Sequence, residues 1–291
     1  MTASRIGLGI VLAYGCATMP DPPVPAAPVQ APRADVCTSG GPDIDLDGLG
    51  DACELELARF FAPVLVVAPV GCAHAEGLPP GGYFHGAQRV RDAVRLAYLP
   101  AYFVDCGWSG FKCHLPGVDC SPHPGDSELI ALDVVRDEGA WSVRAIFLSA
   151  HCSGEPEADC RWYRDDGLSA FAWAGTPAGS APVVWVAEGR QANYPSRSRC
   201  DRGHHSIDTC DRNTLATRFP VRPDRNIGSR EAGIDGRASA AGCVSGAFLE
   251  DAGAAADAEE CFWRDTPFRG WQARGAGVTP YAYYLRDVAE F

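Results

Sequence analysis

Short apolar runs separated by glycine-rich and proline-rich turns dominate this sequence, and long helical patterns are few. Such runs predict β-strands, because successive side chains of an extended chain point to opposite faces. The strands are expected at residues 64–67, 129–135, 143–148 and 183–186. Helical spacing is better at residues 51–61 and 87–94. The pattern therefore predicts a mainly β fold, an antiparallel β-sandwich with a few short helices.

The clearest pair of strands, over residues 128–136 and 141–151, is joined by a turn at Glu138-Gly139 that can close a hairpin. A two-residue loop at that point sets Asp133 opposite Arg144 and brings Asp126 directly across from His151. Apolar positions then meet on one face, with Ile130 opposite Phe147, Leu132 opposite Ala145 and Val134 opposite Val143. This register matches apolar with apolar residues and charge with countercharge.

His123, Asp126 and Glu128 stand at the open end of this hairpin. Two carboxylates at positions i and i+2 repel each other unless a positive charge lies between them, and a divalent cation would supply it. Oxygen-rich ligation with one or two imidazoles suits Ca²⁺, Mg²⁺ or Mn²⁺ better than Zn²⁺. The alternative is a Pro-Gly turn in which Asp126 bonds its own backbone and Glu128 lies in solvent.

A second acidic stretch, residues 43–54, fits the template of a calcium-binding loop. Gly48 permits the sharp turn that such a loop needs. The expected oxygen ligands are Asp43, Asp45, Asp47, the carbonyl of Leu49, a water on Asp51, and a bidentate Glu54. The alternative is a metal-free linker rich in Asp and Gly. The stretch resembles thrombospondin type-three and dockerin-like loops, so residues 37–56 are expected to form a structural clip with Ca²⁺.

Residues 1–16 carry a short apolar run that ends at Cys16, as an export signal does. Cys16 resembles the acylated cysteine of a bacterial lipoprotein, which implies membrane contact through a lipid anchor; simple secretion is the alternative. Residues 17–36 are rich in Pro and Ala and predict an extended tether. The formal net charge of -12 argues against nucleic acid as a partner. We therefore expect an exported protein, an envelope lipoprotein or a secreted one, with a single β-sandwich domain over residues 57–291.

The cysteine content predicts a disulfide-rich protein, because setting Cys16 aside leaves twelve of the thirteen cysteines, an even number. Spacing favours four bridges across short loops, Cys37 with Cys53, Cys152 with Cys160, Cys200 with Cys210, and Cys243 with Cys261. Cys72, Cys106, Cys113 and Cys120 would supply two more. The alternative for part of this set is a zinc cluster of Cys106, Cys113, His114 and Cys120, although its spacing is not a standard zinc pattern.

An ordered set of short motifs runs from Leu57 to about Arg230. The set comprises Arg-Phe-Phe-Ala-Pro-Val at 59–64, His-Pro-Gly-Asp-Ser-Glu at 123–128, Ser-Ala-His at 149–151, Pro-Val-Val-Trp-Val-Ala at 182–187 with Ala-Asn-Tyr at 192–194, and Asn-Ile-Gly-Ser at 226–229. In order and rough spacing it resembles the necrosis-inducing-protein-like fold and its relative, vacuolar protein sorting family sixty-two. The resemblance covers most of the folded part of the chain.

This resemblance implies a β-sandwich whose exposed end holds a divalent cation through His123, Asp126 and Glu128. It also implies that the cation helps to bind a sugar head group of a membrane lipid. The resemblance implies no particular reaction, because no catalytic activity is established for the family. The candidate ligand contacts around the cation are His151, Gln191, Asp105 and Tyr194. The expected function is therefore cation-dependent binding of a glycan or lipid head group at a cell surface.

Two other functions remain open from the sequence. An open metal position could activate water to hydrolyse an ester or a phosphodiester, with His204 and His205 as acid-base groups. The sequence contains no Gly-x-Ser-x-Gly elbow, no His-Glu-x-x-His motif and no phosphate-binding loop. The third interpretation is an envelope scaffold that calcium only stabilises.

Overall fold

A computed structural model describes residues 37, 41–43, 49–69, 83–105, 123–150, 160–174, 181–203 and 207–226; within these ranges the side chains of residues 84, 88, 101–105, 123–127, 224 and 225 lie outside the description. The helices are α1 (Asp51–Phe61), a 3-10 helix (Asp165–Ala170) and α2 (Arg197–Cys200). The strands are β1 (Val64–Val67), β2 (Tyr83–Val90), β3 (Ala93–Leu99), β4 (Ala101–Asp105), β5 (His123–Ser127), β6 (Ile130–Asp137), β7 (Ala140–Leu148), β8 (Arg161–Arg164), β9 (Trp173–Ala174), β10 (Ala181–Val186), β11 (Asn193–Tyr194), β12 (Leu215–Thr217) and β13 (Val221–Asn226).

The prediction of a mainly β fold is confirmed. One sheet has the strand order β11-β10-β1-β12, with β9 also paired to β10, and a second has the order β13-β2-β3-β6-β7-β8. Strands β4 and β5 form a separate pair. Pairing is antiparallel except between β1 and β10 and between β13 and β2. One sheet curls into a half-barrel, and a face-to-face sandwich stays a prediction.

Helix α1 begins and ends where the sequence predicts. Asp51 and Glu54 lie in its first turn and Arg59 in its last, which complements the helix dipole. Pro63 follows the helix and disfavours its continuation, because the residue before a proline avoids helical backbone angles. Among the described residues no helix is long and apolar enough to span a membrane.

The main hydrophobic core joins α1 to both large sheets. Leu57 and Phe61 of α1 pack in one cluster with Leu65 of β1 and Leu96 of β3. Buried tyrosine hydroxyls tie the same elements together, since Tyr98 donates to the Ala58 carbonyl oxygen at 2.9 Å. The helix therefore fixes the position of the two sheets relative to each other.

The hairpin turn between β6 and β7 is the one that the sequence predicts. Asp137 pairs with Ala140 across the two-residue loop. Glu138 has φ 46° and Gly139 has φ 87°, and two positive φ angles in a two-residue loop are typical of a type I′ turn. The predicted pairing of Val134 with Val143 is also confirmed.

Beyond Val134 the predicted register is wrong. A bulge follows Asp133, so that Asp133 pairs with Ala145 and Ile130 pairs with Leu148. Arg144 is the extra residue, and it forms an ion pair with Asp92 at 2.6 Å instead of with Asp133. A one-residue shift turns every later side chain to the other face of the sheet.

The shift changes which β7 residues enter the main core. Ile146 and Leu148 lie in the main cluster, whereas the ring of Phe147 contacts that of Trp162 of β8, with centroids 5.5 Å apart. The prediction that Phe147 shares a face with Ile130 is therefore wrong. Local alternation could not reveal the bulge, because residues 145–148 are all apolar.

The predicted helix at residues 87–94 is also wrong. These residues form the end of β2, a turn and the start of β3. Their apolar positions have helical spacing, but β2 and β3 pair along their whole length, from Phe84 with Leu99 to Val90 with Ala93. Arg91 in the turn has φ 58°, a left-handed angle that a helix cannot contain. Sheet pairing thus overrides the local pattern.

Candidate functional site

Strand β5 carries two of the predicted cation ligands and pairs with β4. Asp126 lies across from Tyr102 in this pair. The predicted register that would set Asp126 across from His151 is wrong beyond Val134, because the bulge shifts the pairing of β6 with β7 by one residue. Within the part of the chain that the structure describes, the partner of β5 is β4. His151 itself lies outside the described residues.

The pairing of β4 with β5 brings two other candidates together. Asp105 is the backbone partner of His123, and directly opposed residues of an antiparallel pair have Cβ atoms roughly 4.5–5.5 Å apart. The sequence offered these two candidates from separate segments. Their side chains, like that of Asp126, lie outside the description, so this proximity is one of backbone positions.

Glu128 follows β5 and is held by residues from two other segments. Its carboxylate accepts a hydrogen bond from the Ser149 hydroxyl, and the same hydroxyl accepts one from the Leu129 N–H at 2.6 Å. Asn193 Nδ2 donates to the Glu128 carbonyl oxygen at 3.2 Å, and the Asn193 N–H donates to the Ser149 carbonyl oxygen at 3.1 Å. We call Glu128, Ser149 and Asn193 the Glu128 cluster.

The Glu128 cluster joins three motifs that are far apart in the sequence. Ser149 and Asn193 are fully buried, and Glu128 is half-buried. Ser149 and Asn193 belong to the ordered motifs at 149–151 and 192–194, but the sequence predicted no role for either. The sequence did contain a signal for these two residues, because a polar residue buried beside an apolar strand needs a hydrogen-bond partner.

Gln191 and Tyr194, two predicted ligand contacts, lie on either side of Asn193 and are fully buried. The Tyr194 hydroxyl donates to a carboxylate oxygen of Asp208, and its ring packs in a second core cluster with β1 and β10. The Gln191 N–H donates to the Ala187 carbonyl oxygen at 3.0 Å. The structure therefore places both side chains within the core, next to Asn193.

The predicted calcium loop is described at Asp43 and from Leu49 onward, while Asp45 and Asp47 lie outside the described residues. The Asp51 N–H donates to the Pro42 carbonyl oxygen at 2.8 Å, which connects the loop segment to the start of α1. The Leu49 side chain is buried in the main core. The loop thus leads directly into α1.

Glu54, the expected bidentate ligand, is fully buried in the first turn of α1. One of its carboxylate oxygens accepts a hydrogen bond from Asn226 Nδ2 of β13 at 2.7 Å. Burial is the main cause that raises the pKa of the Tyr98 hydroxyl, and the negative charge of Glu54 adds a smaller rise. Glu54 therefore has a partner in β13 that the sequence did not suggest, and its role as a Ca²⁺ ligand stays a prediction.

Two of the predicted disulfides are confirmed. Cys37 bonds Cys53 with a Cα–Cα distance of 4.6 Å, and Cys200 bonds Cys210 with one of 5.9 Å. Cys160 is also disulfide-bonded. The predicted partners Cys152, Cys243 and Cys261, the lipidation site Cys16, and the zinc alternative of Cys106, Cys113, His114 and Cys120 all lie outside the described residues.

Within the described ranges, no three His, Cys, Asp or Glu side chains are grouped as a metal site. The side chains of Asp105, His123 and Asp126 and the whole of His151 lie outside the description. Glu128 is the predicted hairpin ligand whose side chain is described. The geometry of the Glu128 cluster therefore bears most directly on the predicted cation site.

Comparisons of this chain with protein-family models, with curated proteins and with solved structures found no significant match. The resemblance to the necrosis-inducing-protein-like fold accordingly stays a prediction that depends on the sequence motifs.

Proposed function

We propose that this is an exported, lipid-anchored protein that binds a glycan or a lipid head group at a cell surface through a divalent cation. The cation would be held by Glu128 with His123 and Asp126, and Asp105 would lie beside them. The observation that supports this proposal is the Glu128 cluster, in which three distant segments converge on one carboxylate.

The hydrogen bonds of the cluster prepare Glu128 for this task. A hydroxyl donor on a carboxylate favours its ionised form, which is the form that binds a cation. Because Ser149 and Asn193 are fully buried, they also hold Glu128 in place before a cation arrives. Preorganised ligands lose less conformational entropy on binding, and binding is tighter as a result.

The chemistry of the site suits a neutral or anionic ligand rich in oxygen. A hard divalent cation prefers oxygen ligands and can accept sugar hydroxyls in coordination positions that the protein does not fill. The chain carries a formal charge of -12, so it would repel an anionic membrane surface without such a cation. A lipid anchor at Cys16 and the tether over residues 17–36 would keep the domain near a membrane.

The test compares wild type with the double variant Asp126→Asn, Glu128→Gln. We expect the variant to fold, to contain less bound divalent cation than wild type by elemental analysis, since the N-terminal loop keeps its own Ca²⁺, and to lose the chelator-sensitive signal on glycan and lipid arrays. Asp165→Asn with Asp166→Asn is the matched control, because it removes two adjacent charges from the exposed 3-10 helix. Equal metal content and array signal in wild type and in the Glu128 variant would overturn the proposal.

The same wild-type and double-variant proteins distinguish the hydrolase and scaffold functions from the proposed one. Turnover of generic ester or phosphodiester substrates by wild type, lost in the Glu128 variant, would favour the hydrolase. Calcium-dependent stability without array signal or turnover would favour the scaffold.

A further inference from the structure

The buried side-chain oxygen of Asn193 accepts no hydrogen bond from the described residues. The residue is 0% exposed, and both of its N–H groups that face the cluster are used, one by Glu128 and one by Ser149. The side-chain oxygen Oδ1 is itself buried, and no donor in the described part of the chain reaches it. A buried acceptor in this condition costs roughly 1–3 kcal/mol, so it calls for a bound water or ion.

The position of this oxygen limits the possible partners. Nδ2 and Oδ1 are bonded to the same carbon, and Nδ2 lies 3.2 Å from the Glu128 carbonyl oxygen. Oδ1 is therefore close to the residue that we propose as a cation ligand. An amide oxygen is a hard ligand that Ca²⁺ uses readily together with carboxylates.

Asn213 provides an internal comparison. It is also almost fully buried, and its Oδ1 likewise has no donor among the residues that the structure describes. Its Nδ2 donates to Val66 and Val186 carbonyl oxygens at 2.8 and 2.7 Å, so the side chain connects β1 with β10. Asn193 differs because its amide contacts a residue that carries a half-buried carboxylate.

We propose that Asn193 Oδ1 is a direct ligand of the cation at Glu128, and that this amide oxygen favours Ca²⁺ over Zn²⁺ there. The inference rests on the proposed cation site and adds a ligand from β11. It explains why the motif at 192–194 belongs with that at 123–128. It also predicts that Asn193 affects cation affinity through its oxygen and not only through its Nδ2 hydrogen bond.

The experiment measures Ca²⁺, Mg²⁺, Mn²⁺ and Zn²⁺ affinity by calorimetry on protein refolded with its disulfides intact. All proteins carry Asp43→Asn, Asp45→Asn and Asp47→Asn, so that the N-terminal loop contributes no calcium signal. In this background we compare Asn193→Ala, Asn193→Asp, Glu128→Gln and the control Asn213→Ala. Thermal unfolding in chelator reports the fold of each variant separately from its cation affinity.

The two Asn193 variants separate ligation from positioning. Asn193→Ala should weaken Ca²⁺ binding at least about tenfold, the range in which even residues behind a ligand act. Asn193→Asp should bind Ca²⁺ as tightly as wild type or more tightly, because it keeps the oxygen and adds charge. If Asn193 only positions Glu128, Asn193→Asp should weaken binding as Asn193→Ala does. A carboxylate oxygen would then replace Nδ2 and could not donate a hydrogen bond to the Glu128 carbonyl oxygen.

The remaining outcomes also decide the matter. Unchanged affinity in both Asn193 variants, or an equal loss in Asn193→Ala and Asn213→Ala, would overturn the inference while leaving the cation site intact. No binding of Ca²⁺, Mg²⁺ or Mn²⁺ by the background protein would overturn the proposed function itself. If Asn193→Ala does not fold, the direction of the change in Asn193→Asp decides alone.

Discussion

At the scale of single residues, the most distinctive interaction is a buried ion pair across the six-stranded sheet. Arg95 of β3 and Asp133 of β6 are 5% and 6% exposed and bond through two contacts, at 2.7 and 3.0 Å. The Arg95 guanidinium also lies over the Trp162 ring, 4.6 Å from its centroid. The register of β3 with β6 sets the two residues directly opposite each other.

We expect Asp133→Ala to lower the free energy of unfolding by about 3–5 kcal/mol, because it leaves Arg95 buried without its countercharge. Chemical denaturation near neutral pH measures the effect. A loss below about 1 kcal/mol would show that solvent or another group compensates Arg95.

Arg144→Ala is the matched control for this prediction, since it breaks an exposed pair of the same residue types. We expect little change in stability near neutral pH. The hydrogen bond from Arg144 holds the pKa of Asp92 below its ordinary value. Any stability from this pair is therefore present above the ordinary aspartate pKa and is lost as the pH falls through the lowered one.

At the scale of elements, the sequence predicted those features that short-range chemistry determines. The Glu138-Gly139 turn, helix α1 and the two short disulfide loops depend on neighbouring residues and were correct. Two features were not predicted: the bulge, which depends on pairing across the sheet, and the β2–β3 hairpin, whose apolar positions also have helical spacing. The apolar run at 145–148 fits either face, so alternation alone could not choose between them.

The Glu138-Gly139 turn tests whether neighbouring residues alone determine the hairpin loop. Gly139 has φ 87°, and a Cβ added there would meet no atom within 4 Å. Gly139→Ala should therefore destabilise the protein by about 1–2 kcal/mol through backbone strain alone. Gly41→Ala is the control, because a Cβ also meets nothing there and its φ lies outside the left-handed region. Equal melting temperatures for the two variants would contradict the type I′ turn.

At the scale of the whole molecule, both candidate sites depend on contacts between distant segments. The Glu128 cluster joins the residues that follow β5 and β7 to β11, and Glu54 joins α1 to Asn226 of β13. The sequence named Glu128 and Glu54 because motif templates contain carboxylates. It could not name Asn193 or Asn226 as their partners, because chain topology alone sets those contacts.

The Asn226 contact turns the calcium-loop prediction into a specific experiment. Glu54→Gln keeps an oxygen that can accept the hydrogen bond from Asn226, but it removes the negative charge that would bind Ca²⁺. If Glu54 is a calcium ligand, Ca²⁺ should protect wild type from limited proteolysis and raise its melting temperature, and both effects should be lost in the variant.

Asp43→Ala should behave in the same way, whereas Asn226→Ala should lower stability with and without Ca²⁺. Asn226→Ala is thus the control that separates the hydrogen bond from the cation. Should Glu54→Gln retain the full response to Ca²⁺, Glu54 would serve only to join α1 to β13. In that case the variant should also be as stable as wild type in chelator or more stable, because it removes a buried charge without losing its hydrogen-bond partner.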